Sequence, residues 1–185
     1  MGIYLLNNTF GQYRNIVLAN KTNAEVLNEA YGQRLASTWK TIQFHWDTED
    51  GNERRNIFLY LGSLLVVDEK GRNAISQNTD NIEYLPIDID GEQWFVVNVC
   101  NVFDGVLNLS KSKIERFKDG SIKWIKEFVF NQDCPSSLLF RISEMRTALF
   151  ASDSFRECLL GSSLVGLNFE DCKIKTPGIL RSIFK

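Results

Sequence analysis

Two hairpin signals lie within residues 84–130, at Asp90-Gly91 and at Asp119-Gly120, each an Asp-Gly between apolar runs. Asp-Gly supplies the positive-φ positions of a tight turn, so the chain must reverse twice in this stretch and any fold must accommodate two antiparallel hairpins. In the first, Leu85, Ile87 and Ile89 alternate with Pro86 and Asp88 before the turn. A two-residue loop pairs Ile89 with Glu92, Ile87 with Trp94 and Leu85 with Val96, which gathers the large apolar groups of both strands on one face. The return strand, residues 94–99, does not alternate; it is apolar on both sides, as a central strand covered on both faces requires.

The second turn falls at Lys118-Asp119-Gly120. A bulged three-residue loop pairs Phe117 with Ser121 and Glu115 with Lys123, whereas a two-residue loop sets Arg116 against Lys123, so the bulged register is preferred. The return strand, residues 122–130, is expected to send Ile122, Trp124, Phe128 and Phe130 to one face, with Lys126 as the exception. Lys123, Ile125, Glu127 and Val129 then form a mixed, partly wet face.

The flanks carry shorter signals. Residues 39–46 alternate loosely and read as a strand, while residues 57–61 and 64–67 are apolar runs split by Gly62-Ser63. Thr22 has the chemistry to cap a short helix that Gly32 stops, and Asp68 to cap another over residues 69–77 despite Gly71. Residues 101–112 have no clean period and Pro135 marks a loop. Strands are expected at 138–142, 149–151 and 164–169, with a helix between the last two, capped by Ser152 or Asp153 and ended by Gly161. The pattern is α+β: a mainly antiparallel twisted sheet built on two hairpins, with a few short helices packed against it. Residues 1–80 read as a looser N-terminal lobe, 81–172 as the core and 173–185 as a basic tail, within one compact domain.

Chemistry is harder to find. A formal charge of −2 over 185 residues favours no nucleic-acid partner, and no eighteen-residue apolar stretch occurs to cross a membrane. With no export signal at the N-terminus, the protein is expected in the cytoplasm. Cys100, Cys134, Cys158 and Cys172 show no Cys-x-x-Cys spacing, so reduced, packed thiols are expected, with no metal site and no disulfide framework. His45, the single histidine, has no Ser, Cys or Asp at a motif spacing, and phosphate-binding and hydrolase signatures are missing. Asp47, Glu49, Asp50 and Glu53 resemble a calcium loop in composition alone. No cofactor and no catalytic residue is assigned; the enzymatic or small-ligand alternative rests on a pocket near His45 and Trp46.

Charge is distributed unevenly. Residues 73–110 contain no Lys or Arg but include Glu83, Asp88, Asp90, Glu92 and Asp104, whereas residues 111–126 are strongly basic. Two readings remain open: the asymmetry zips neighbouring strands together, or it forms an acidic face for a partner. Asp88, Asp90, Glu92 and Asp104 are the candidate binding residues on the second reading.

The turns and strands themselves resemble a known family. The runs Tyr84-Leu85-Pro86-Ile87, Val97-Asn98-Val99, Val102-Phe103-Asp104 with Leu107, Ile114-Glu115-Arg116-Phe117 and Lys126-Glu127-Phe128-Val129-Phe130 are similar to the bacterial polymorphic-toxin immunity proteins of the eleventh numbered family, formerly a domain of unknown function. The likeness continues through Leu139-Phe140-Arg141-Ile142, Phe150-Ala151-Ser152-Asp153 and Val165-Gly166-Leu167-Asn168-Phe169, and more loosely through residues 35–39 and 64–70. Asn108 departs from it, standing where a second acid after Asp104 is expected. The resemblance implies a non-enzymatic protein that binds and neutralises a cognate toxin domain encoded beside it, and it carries over no catalytic residue.

Overall fold

Short apolar runs bounded by Gly, Asn and Asp become strands along the whole chain. The computed structural model describes residues 2–20, 24–47, 49, 51–76, 81–132 and 137–175; Thr22, Asp50, Gln77, Cys134, Pro135 and the tail after Lys175 lie outside the described residues. The first part of the chain gives β1 (Ile3–Asn8), β2 (Ile16–Leu18), α1 (Ala24–Glu29), β3 (Ile42–Trp46), β4 (Ile57–Tyr60), β5 (Leu64–Val67) and α2 (Glu69–Ser76). The hairpin region gives β6 (Ile82–Ile89), β7 (Glu92–Val99), β8 (Val102–Phe103), β9 (Lys113–Arg116), β10 (Ile122–Glu127) and β11 (Val129–Phe130). After it come β12 (Leu139–Ile142), β13 (Met145–Ser152), α3 (Asp153–Gly161), β14 (Leu167–Asp171) and β15 (Lys173–Ile174).

Two sheets hold most of these strands, one six-stranded in the order β2-β3-β6-β7-β5-β4 and one five-stranded in the order β14-β1-β13-β12-β8. Most neighbours run antiparallel; β3 with β6, β12 with β8 and β11 with β15 are parallel. The first hairpin stands in the expected register, with Ile89 opposite Glu92, Ile87 opposite Trp94 and Leu85 opposite Val96. Its turn is made by Asp90 at φ 52° and Gly91 at φ 87°, as Asp-Gly chemistry dictates. Strand β7 lies inside the six-stranded sheet with alternate residues on opposite sides, Trp94 and Val96 in one core and Phe95, Val97 and Val99 in another.

Three apolar layers result. Between the sheets, Leu65, Val67, Phe95 and Val97 meet Leu6, Leu139 and Leu149, with Ile75 of α2 and Phe155 of α3 in the same layer. The outer face of the six-stranded sheet is closed by Leu27 of α1 and by Leu35. The outer face of the five-stranded sheet carries Phe140 stacked on Phe150 at 5.4 Å, covered by Ile125, Phe128 and Phe130. Each layer removes aromatic and aliphatic surface from water, the dominant favourable contribution to folding.

Local chemistry explains the helices. Asp68 Oδ1 accepts the Gly71 amide at 2.7 Å, the N-cap bond that starts α2. Glycine is required at that position because a Cβ there would stand 2.9 Å from Val67 Cβ. Ser152 is the N-cap residue of α3 but makes no side-chain capping bond; Asp153 instead accepts from the Gly2 amide and from Tyr4 Oη.

Several sequence expectations change. The second hairpin forms with Phe117 N–H donating to Ser121 O at 2.9 Å, yet β9 and β10 make a separate two-stranded ribbon rather than part of a shared sheet. Register shifts after Ile122 and after Ile125 set Glu115 opposite Trp124 instead of Lys123. They also reverse the expected faces: Ile125 is 2% exposed and Trp124 is 54% exposed. A β-bulge inserts a residue and so inverts the alternation beyond it, which simple period-2 counting misses. The return segment also breaks, with Val129 and Phe130 turning to pair with β15.

Other changes are smaller. Residues 39–41 are not strand, because Trp39 belongs to a turn in which its amide bonds to Leu35 O at 2.8 Å. The split at Gly62 is a third hairpin, joining β4 to β5 with Leu61 and Gly62 at positive φ.

Candidate functional site

The four candidate acids do not gather at one place. Asp90 and Glu92 flank Gly91 at the tip of the first hairpin, while Asp104 follows β8, beyond the far end of β7. Eight strand residues separate the two positions, about 26 Å at 3.3 Å per residue. Asp104 is exposed at that far end, and Asp88 is half-buried with its Oδ1 accepting the Gly91 amide at 3.0 Å.

The tip is braced by two cationic or protonatable partners. His45 Nδ1 donates to Asp90 Oδ1 at 2.6 Å, and the Trp46 amide donates to Asp90 Oδ2 at 3.0 Å. These bonds, the imidazole first, hold the Asp90 carboxyl below its usual range. Arg54 forks onto Glu92 at 2.8 and 3.2 Å and lowers that carboxyl in the same way. Both acids remain about half exposed, at 46% and 47% of their side-chain surface. The acids thus bond to His45, the Trp46 amide and Arg54 rather than to the basic stretch 111–126, and still present carboxylate oxygens to solvent. Sequence reasoning missed Arg54, because nothing local links it to a residue thirty-eight positions on.

Of the two residues of the proposed pocket, one is open to solvent and the other is packed into the core. His45 lies in the open with 60% of its side chain exposed, and Trp46 is packed edge-on against Trp94 at 5.5 Å. Among the described residues no group of three or more His, Cys, Asp or Glu side chains is placed to hold a metal ion. Burial, and secondarily the charge of Glu83, pushes the Cys100 thiol up, away from the thiolate a nucleophile needs. No described helix is long and apolar enough to cross a membrane.

A larger opening lies at the other end of the molecule. A cavity of about 620 Å³ is bounded by β1, β13, the β4–β5 turn and the ribbon strand β10. Near it, Arg141 is fully buried with no carboxylate partner among the described residues; its guanidinium donates to Ser63 O at 3.1 Å and Arg146 O at 2.7 Å and stacks over Tyr31. Burial lowers its pKa to about 10, which leaves it charged at neutral pH. An arginine inside the apolar run Leu139-Phe140-Arg141-Ile142 was the available signal, since charge on a covered strand has to be satisfied by backbone or partner groups.

Comparison with curated proteins finds no match. Comparison with family models matches the immunity protein family Imm11 over residues 9–174, from just after β1 to the end of β15. The match takes in the first hairpin, the ribbon, the strands of the five-stranded sheet after β1 and the segments before residue 81 where the sequence likeness was looser. On that extent of agreement, the chain belongs to the immunity protein family Imm11.

Proposed function

We propose that this protein binds a cognate toxin, encoded beside it, and neutralises it by covering the toxin's active site with a protein surface. The observation that carries this reading is the family match across residues 9–174, which points to a role in toxin immunity. Occlusion needs no nucleophile, metal or cofactor, only a specific interface of about 800 Å² on each partner. The meeting place is the cytoplasm, so the toxin attacks a target there, such as nucleic acid or a nucleotide cofactor.

Within this reading, Asp88, Asp90 and Glu92 form an acidic edge that steers the basic cleft of such a toxin, and Asp104 adds negative charge at the far end of β7. Opposite potentials raise the association rate and penalise wrong partners. The test is to produce the neighbouring toxin in cells with and without this chain. Growth restored together with a co-purifying complex supports occlusion; growth restored with no complex at any protein concentration contradicts it.

A further inference from the structure

The five-stranded sheet is not closed along its length. Strands β1 and β13 pair at Ile3–Ser152, Tyr4–Ala151 and Leu5–Phe150, and there the ladder stops, although β1 runs on to Asn8 and β13 begins at Met145. On its other side β13 is also released: Phe140 pairs with Phe150 and Ile142 with Met145, so residues 146–149 face a single residue of β12. Among the described residues, 146–149 therefore have no ladder partner on either side. Arg141 fills part of the gap by bonding the Arg146 carbonyl, which holds the strand in its displaced path.

The 620 Å³ cavity occupies this seam. Leu5 and Leu6 both line it, as do Ala148 and Leu149, although within each pair one residue faces the inter-sheet core and the other the outer layer. Consecutive strand residues point to opposite faces, so a cavity touching both must pass between the strands rather than over the sheet. The unpaired stretches beside it are three residues of β1 and four of β13, about 10–13 Å of extended chain. Trp124 and Leu61, 54% and 78% exposed, stand at its walls and leave apolar surface uncovered.

The wall is also charged. Lys126, paired with Glu115, and Glu170 line the cavity; outside it the ribbon carries Lys113, Arg116 and Lys123 against Glu127, and Arg146 is exposed on β13. We propose that an extended segment of the cognate toxin, with apolar side chains alternating with acidic ones, enters this seam as an added strand between β1 and β13. Main-chain bonds to the open ladder positions supply affinity, the apolar walls take alternate side chains, and the basic ribbon selects the acidic ones. This rests on the toxin-binding reading but places the anchoring contact at the end of the six-stranded sheet opposite the acidic tip, because Leu65 pairs with Val97 and Val67 with Phe95, which puts the Leu61 turn away from Gly91.

Residue-resolved amide exchange of the full chain, free and saturated with the toxin domain, tests the proposal. Strand addition slows exchange by roughly a hundredfold or more at every second residue of 146–149 and at Leu6 and Asn8, whose amides point away from β14. Protection confined to the Asp90 tip, with the seam amides unchanged, overturns the seam while leaving the immunity reading intact. Seam amides already slow in the free monomer, or slowed by self-association without toxin, overturn it too, since the chain or a second copy then fills the site. Failure of the toxin to bind at all overturns both readings together. As a second arm, Ala148→Trp fills the cavity and is expected to weaken toxin binding about tenfold or more at an unchanged melting temperature; wild-type affinity in a folded Ala148→Trp protein contradicts the proposal.

Discussion

Asp90 and Glu92 each hold an internal partner and still face solvent, so their two roles have to be separated by substitution. Charge reversal to Lys would break the His45–Asp90 bond and set a like charge against Arg54, and so confuse disruption inside the fold with loss of steering. Asp90→Asn with Glu92→Gln keeps hydrogen-bonding groups in place and removes the charge. Stopped-flow association with the toxin is expected to slow and to lose most of its salt dependence, while the melting temperature changes little. An unchanged rate with a lowered melting temperature shows that the acids serve the fold alone. Glu127 offers a pH test: Lys113 and Lys173 each donate to it at 2.6 Å and, through those hydrogen bonds, hold its pKa down from 4.5 to about 2. A depressed folded pKa stabilises above the unfolded value and is lost as pH falls, so the melting temperature should decline between pH 4.5 and about 2. Glu127→Gln should remove that part of the pH dependence; an identical profile in the variant would show that the two lysines do not hold the carboxylate in solution. His45→Ala, Cys100→Ala and Cys158→Ala are each expected to preserve protection of toxin-producing cells, because occlusion uses no nucleophile or ligand; loss of protection with toxin binding retained would point to chemistry instead.

Strand β7 is the element on which both sheets depend. Val97 is 0% exposed, pairs with Tyr84 on one side and Leu65 on the other, and projects into the inter-sheet layer. Val97→Lys should cost several kcal/mol, comparable with a domain's total stability of about 5–15 kcal/mol, and calorimetry should show no cooperative unfolding. A soluble variant with a cooperative transition near the wild-type temperature would contradict the placement of this strand. The hairpin containing it was legible in the sequence because its register is local: alternation in β6, an Asp-Gly turn and an apolar return strand agree with one another. Helix α2 was legible for the same reason, through Asp68. The ribbon was legible only to Ser121, since the bulges beyond it exchange the faces of Trp124 and Ile125 and nothing in the local pattern marks them. Strand β8 is two residues long and exists through its pairing with β12, so it carries no periodicity to read.

Assembly of the whole molecule draws on contacts that sequence proximity cannot announce. The five-stranded sheet unites β1 with β13 and β14, bringing Ile3 beside Ser152 and Tyr4 beside Asp171. Strands from both sides of residue 81 alternate in the six-stranded sheet, where β6 and β7 sit between β3 and β5. The result is a layered body with an acidic tip at one end of the six-stranded sheet and, at the other, an open seam beside the net-basic ribbon. The candidate acids were readable as residues, but their division between the two ends was not, because β7 had first to be placed as the strand that separates them. The seam was not readable at all, since it arises where two distant strands stop pairing. On the proposed occlusion reading, inhibition comes from a stoichiometric complex in which the protein is neither consumed nor turned over. Titration of toxin activity against this protein, at concentrations well above their dissociation constant, tests that claim most directly. Occlusion predicts a linear loss of activity that reaches zero at one equivalent of the immunity protein; complete inactivation by a small fraction of an equivalent would contradict it.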